Sequence, residues 1–281
     1  MSTPAYLVHW GLAEGPFRLE PDPRFAFERT DHREGLARIL FGITQLGGLV
    51  VITGEIGSGK TLLSQTLRQT LDGEGFRVAE VANPPRTPAA LLSASLLAMG
   101  GPKAGGSAAR LSGLIRVRQA EAEAEGSRVV LAIDEAQRLD PRALEEVRLL
   151  TNPGSEGPGA PIVLLGQPEL TTHVEHLRQV AQRVVVRYHL GNMTADEVDA
   201  YALHRTRVAG AGKRIISKKA TKAVFEETEG VPRLVNLLLA NALFVAGSNG
   251  DDQVGEEIIR DLAEDHRMTL EASLPQAEES T

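Results

Sequence analysis

The stretch GGLVVITGEIGSGKTLL, residues 47–63, decides the fold. Its first half is an apolar run of strand length, and residues 48–53 are predicted to form a buried strand. Its second half matches G-x-x-x-x-G-K-[ST], with Gly54, Gly59, Lys60 and Thr61 at the specified positions. Each residue type has a chemical reason. Glycines let the backbone turn tightly, so that N–H groups along Glu55, Ile56, Gly57 and Ser58 point inward at an anion. Lys60 can reach the β- and γ-phosphates of a nucleotide, and the Thr61 hydroxyl can hold Mg²⁺. The helix that follows, through Leu62, adds the positive end of its dipole. A phosphate-binding loop between strand and helix is expected.

A second stretch, VVLAIDEAQ (129–137), ends an apolar run in Asp134 and Glu135. Ligands of open parallel sheets bind beyond the carboxyl ends of strands, so both carboxylates are expected at the nucleotide. Asp134 can hold Mg²⁺ through water, and Glu135 can orient and deprotonate an attacking water. Together the two stretches predict ATP hydrolysis with Mg²⁺.

Apolar runs alternate with amphipathic helical patterns on either side of these motifs. Strands are predicted at 48–53, 76–81, 128–133, 161–165 and 184–188, and helices near 60–72, 88–99, 108–125 and 141–151. Thr87-Pro88 and Asp140-Pro141 each set a cap residue before a first-turn proline. This order predicts an α/β P-loop fold over 1–191, with a mainly parallel five-stranded sheet between helices. Beyond residue 192 the strand pattern stops. TADE (194–197) reads as a capping box, Ser217 as a second cap and Pro232 as the start of a third helix, giving a helical subdomain over 192–268. GGPKAGGSA (100–108) reads as a flexible loop, and 269–281 as a disordered acidic tail.

The bulk composition is that of a soluble globular chain: 281 residues, 42% hydrophobic and 24% charged. It has no cysteine, which excludes disulfides and thiolate metal sites. No basic and apolar leader precedes the first motif, so a cytoplasmic location is expected. The most apolar segment, 231–247, contains Arg233, Asn236 and Asn241 and reads as a buried helix; any membrane link would run through a partner. Residues 251–281 carry ten acids against two arginines. Residues 200–225 instead hold seven Lys/Arg and no acid, either a solvated surface or a docking patch for nucleic acid or an acidic neighbour. His173 and His176 lack a third metal ligand nearby and read as surface histidines.

At GEIGSGKT, IDEAQRLDPRALEEVRLLTN (133–152), VLLGQPEL (163–170), QRVVVRYHL (182–190) and GVPRLVN (230–236), the chain resembles the AAA+ ATPases, and more narrowly the ExeA-like group. WGLAEGPFRLEPDPRFAF (10–27) extends the resemblance towards the N-terminus. Transposition ATPases of the TniB/TnsC/MuB kind share this architecture. The resemblance implies that Gln167 is the sensor-1 residue reading the γ-phosphate, or else a turn residue before Pro168. It implies that Arg183 is the arginine finger acting on a neighbouring subunit, with Arg178 and Arg187 as alternatives, and that Arg233 is sensor 2 on a helical lid. Pro16, Phe17 and Phe25 resemble the adenine-side wall, or are plain core. Many ExeA-like proteins continue into a membrane helix and a peptidoglycan-binding module. This sequence stops at Thr281, so neither is expected. The implied role is a ring- or filament-forming ATPase that drives or gates assembly of a secretion- or pilus-type envelope complex. The alternative is a regulator of transposition that binds DNA under ATP control.

Overall fold

Five strands run parallel in one sheet: β1 (Leu49–Gly54), β2 (Phe76–Val81), β3 (Arg128–Ile133), β4 (Ile162–Gly166) and β5 (Val184–Leu190). All five predicted segments are strands, with ends displaced by no more than two residues. The helices, in chain order, are α1 (Ala5–Trp10), α2 (Thr30–Phe41), α3 (Lys60–Leu71), α4 (Pro88–Ala98), α5 (Ala108–Ala124) and α6 (Pro141–Leu150). They continue with α7 (Glu169–His176), α8 (Arg178–Ala181), α9 (Ala195–Val208), α10 (Lys218–Thr228), α11 (Pro232–Asn249) and α12 (Glu256–Ser273). The structure, a computed structural model, describes residues 3–20, 22–153 and 159–273.

The strands lie in the order β2-β3-β4-β1-β5. Side chains alternate between the two faces, so apolar strands without polar interruptions build two cores at once. Leu49, Val51, Leu131, Ile133, Ile162 and Leu164 join one core with side chains of α4, α5 and α6. Val50, Ile52, Val130, Ala132, Val163 and Leu165 join the other with Ile39 of α2 and Leu63 and Leu67 of α3. At the edge, β5 is only partly covered, and Val185, Arg187 and His189 are exposed. This order has one consequence for function: β4 lies between β1 and β3, so its carboxyl end separates the Gly54 loop from Asp134.

The chain divides into two compact units, Thr30–Gly191 and Met1–Arg29 together with Asn192–Thr281. The first 29 residues, expected within the α/β domain, thus belong with the helices. The reason is apolar: Leu7, Trp10, Phe17 and Phe25 are buried among Val198, Tyr201, Leu239 and Leu243, and the Trp10 Nε1–H donates to the Leu243 carbonyl at 2.9 Å. Phe17 and Phe25 are therefore core residues of the helical unit.

Caps in this unit follow the sequence closely. Thr194 and Glu197 form both bonds of the capping box, and Ser217 Oγ accepts from the Ala220 N–H at 3.0 Å. The basic stretch 200–225 is less free than its composition suggests. Arg205 is buried, its guanidinium 4.8 Å from the Phe25 ring and 5.5 Å from the Tyr201 ring, with Nε donating to the Pro16 carbonyl. Arg214 makes a two-pronged pair with Asp199, at 2.7 and 2.9 Å, and Lys222 approaches Glu226 at 3.7 Å. Helix α12 runs through 269–273, where the acidic tail was expected to begin, and 274–281 lie outside the described residues. Among the described residues, no helix is long and apolar enough to cross a membrane.

Candidate nucleotide site

The loop between β1 and α3 turns where only glycine turns readily: Gly57 has φ +86° and Gly59 φ +97°. Gly54 is required for space, since a Cβ there would lie 2.5 Å from Ser58 Oγ. Glu55, Ile56 and Gly57 form an exposed tip, whereas Ser58 is buried. Gly59 caps α3, and Lys60, Thr61 and Leu62 make its first turn. The Lys60 amine folds back, donating to the carbonyls of Gly54 at 2.7 Å and Glu55 at 2.9 Å. Lys60 is 6% exposed. Burial pushes its pKa down, against the pull of Asp134 and Glu135.

The acidic pair meets this loop. Thr61 Oγ1 lies 3.5 Å from Asp134 Oδ2, while Asp134 Oδ1 accepts from the Glu135 N–H at 2.8 Å. Burial pushes the Asp134 carboxyl above its ordinary value, and the Glu135 N–H and Lys60 oppose the shift. Glu135 adopts a left-handed backbone, φ +50°, which few non-glycine residues take up. That turn follows the end of β3 and leads into a short 3-10 turn over Ala136–Arg138. Glu135 Oε2 accepts from Gln137 Nε2 at 2.8 Å, and Gln137 Oε1 accepts from the Gln167 N–H at 3.1 Å. One amide thus ties the carboxylate after β3 to the segment after β4. Gln167 itself is half-buried directly after the β4 end, between the two motifs.

A family model described as an AAA domain matches residues 43–174. General secretion pathway protein A of Aeromonas hydrophila is 38% identical over 253 residues, 89% of this chain. The chain carries an AAA domain and is ExeA-like over most of its length. It spans 46% of that relative's length. Cdc6p from Pyrobaculum aerophilum shares the fold of this ExeA-like chain at 19% identity and TM-score 0.67, covering 91% of this chain and 75% of the other. Drosophila ORC bound to DNA does so at 17% identity and TM-score 0.66, covering 98% and 70%.

Arg178, Arg183 and Arg187 belong to the unit that bears the loop, and Arg233 belongs to the helical unit. Arg183 enters β5 at the sheet end opposite the phosphate loop; with β1 six residues long, that is roughly 20 Å away. Its Nη2 donates to Asn152 Oδ1. Arg187 pairs with Glu175 at 2.9 Å. Arg178, first residue of α8, is exposed, and among the described residues its guanidinium has no hydrogen-bond or ion-pair partner. Arg233 is exposed, directly after Pro232, in the first turn of α11.

Two residues of this ExeA-like site had no sequence expectation. His32 of α2 donates from Nε2 to the Ser58 carbonyl at 2.8 Å, because a carbonyl can only accept. The same ring closes the space above Gly59, where a Cβ would lie 2.4 Å from Nε2. Asp31 beside it accepts from the Tyr188 hydroxyl and, at 2.7 Å, from the Gly191 N–H, tying α2 to the end of β5. The signal for α2 was present: Leu36, Ile39, Leu40 and Ile43 recur at i, i+3, i+4 and i+7. Gln137 is the second, and its role depends on strand order, which no short window carries.

Proposed function

We propose that this chain binds ATP on the Gly54–Leu62 loop and hydrolyses it, working in a ring or filament. The reading is carried by the 3.5 Å approach of Thr61 Oγ1 to Asp134 Oδ2 beside the Lys60 amine. The donor set fits Mg²⁺, since a neutral hydroxyl and a carboxylate converge from two elements, and hard oxygen ligands are what this ion takes. Bound there, Mg²⁺ would supply charge neutralisation for the β- and γ-phosphate oxygens.

The chain's own groups do the rest. Lys60 would leave the carbonyls of Gly54 and Glu55 for the γ-phosphate, exchanging two neutral acceptors for a charged one. The loop N–H groups would hold the phosphates in line. Glu135 would take the proton of the attacking water, and the Gln167 amide would face the γ-phosphate from the end of β4. A neighbouring subunit would add a guanidinium against the charge of the transition state. Arg178 fits that task better than Arg183, because the Arg183 guanidinium is engaged by Asn152. Arg233 would act as the second sensor.

A steady-state ATPase assay tests the reading. Glu135→Gln should keep nucleotide affinity and lower kcat by about 100-fold or more; equal turnover would discard the mechanism. The biological role we infer from the likeness to General secretion pathway protein A is assembly or gating of an envelope secretion complex, from the cytoplasmic side through a protein partner. A second reading, DNA binding under ATP control, is favoured by Arg207, Lys213, Lys218 and Lys219, which stay exposed in the helical unit. ATP-dependent, salt-sensitive binding to duplex DNA would support it.

A further inference from the structure

A second concavity opens beside the site, wholly within the unit formed by residues 30–191. It is a cleft of about 480 Å³, walled by the segment after β2, the segment after β3 and α7. Its rim is cationic and hydrogen-bonding. Arg86 and Arg138 stand on one side and His173 and His176, one helical turn apart, on the other. All four are exposed. The floor is apolar, made by Leu139 and Leu144, both nearly fully buried. One carboxylate lines the cleft, that of Asp140, and it is engaged as the α6 cap, accepting from the Ala143 N–H at 2.7 Å. The loop bearing Arg86 is held to this wall by the Asp140 N–H, which donates to the Arg86 carbonyl at 3.3 Å.

The remaining wall is Gln137, the residue that ties Glu135 to the Gln167 backbone. We propose that this cleft takes an acidic, leucine-like peptide segment of a protein partner, and that Gln137 reports its occupancy to Glu135. Two guanidinium forks above an apolar floor suit carboxylates interleaved with an aliphatic side chain. A phosphodiester strand would leave that floor unused. A volume of this size matches a site that encloses a few side chains rather than a single ion. A ligand carbonyl that takes over the Gln137 Nε2–H now given to Glu135 Oε2, turning the amide towards the cleft, frees the carboxylate to approach water. Gln137 is thus a positioning residue, and partner binding acts on kcat.

The coupling arm rests on the hydrolysis reading above; the binding arm does not. In the binding arm, short fluorescent peptides of alternating Glu and Leu are titrated onto the full chain, with Lys/Leu peptides and a single-stranded oligonucleotide as comparators. Glu/Leu peptides are expected to bind, and Arg86→Glu or Arg138→Glu to weaken them about tenfold while sparing basal turnover. Glu135→Gln, inactive under the hydrolysis reading, should bind the peptide like the wild type. In the coupling arm, saturating peptide raises wild-type kcat several-fold with KM unchanged; Gln137→Ala, short of one hydrogen bond to the ligand, binds the peptide within about tenfold of wild type and shows no response at saturation, whereas Gln137→Asn retains part of it. No peptide binding, a preference for the oligonucleotide, or full stimulation of Gln137→Ala overturns the proposal.

Discussion

Replacing Gly59 by alanine probes the loop through two separable costs. The first is conformational. At φ +97° a residue with a Cβ sits outside the regions it populates, costing about 1–3 kcal/mol. The second is steric. The new methyl would lie 2.4 Å from Nε2 and 2.7 Å from Cε1 of His32, a ring that is 8% exposed and bound to the Ser58 carbonyl. Such overpacking costs about 1–3 kcal/mol. Gly59→Ala should therefore lose about 2–6 kcal/mol, a large share of the roughly 5–15 kcal/mol that holds a domain folded. His32→Ala removes the ring and, with it, only the steric part. In the double variant Gly59→Ala/His32→Ala the conformational cost remains, so the loss should fall short of the summed single losses by about 1–3 kcal/mol. Equilibrium urea unfolding of the four proteins measures this, with binding of a fluorescent ATP analogue as a reading of loop shape. Single losses that add to within about 0.5 kcal/mol would refute the packing of His32 on Gly59.

Arg178→Ala should abolish turnover while leaving nucleotide affinity and unfolding midpoint unchanged. Mixing it with Glu135→Gln protein should restore part of the activity, since the Glu135→Gln subunit would supply Arg178 to a neighbouring site that keeps its own Glu135; no recovery in mixtures argues against a trans-acting Arg178. Arg183→Ala should instead lower the unfolding midpoint through the lost Asn152 bond. Asp134 bears a pKa raised by burial, so its charged form opposes folding and stability falls as pH rises past the ordinary carboxylate value. Asp134→Asn should accordingly raise the thermal midpoint of the nucleotide-free protein at neutral pH and lose the further rise that Mg²⁺ with ATP gives the wild type. Arg205→Lys should cost about 1–3 kcal/mol in urea unfolding, because an ammonium cannot span both rings and the Pro16 carbonyl.

Much of this molecule was legible as text. Apolar runs of strand length, alternating with amphipathic helical segments, marked every strand of the sheet, because a buried strand is a property of a few consecutive residues. Phosphate-loop glycines, the Thr194–Glu197 box and the Asp140 cap were equally readable, since each bond closes within about one helical turn. What escaped were meetings between distant segments. Arg205 looks like one charge in a basic run until Phe25 and Tyr201 close around it, and residues 3–29 look like part of the sheet domain until their aromatic side chains find α9 and α11. Likewise Gln137 acquires a partner in the Gln167 backbone only because β4 is inserted between β1 and β3. Local geometry is written in local sequence, whereas strand order and core membership follow from burying apolar surface across the whole chain, and only the folded structure carries out that choice.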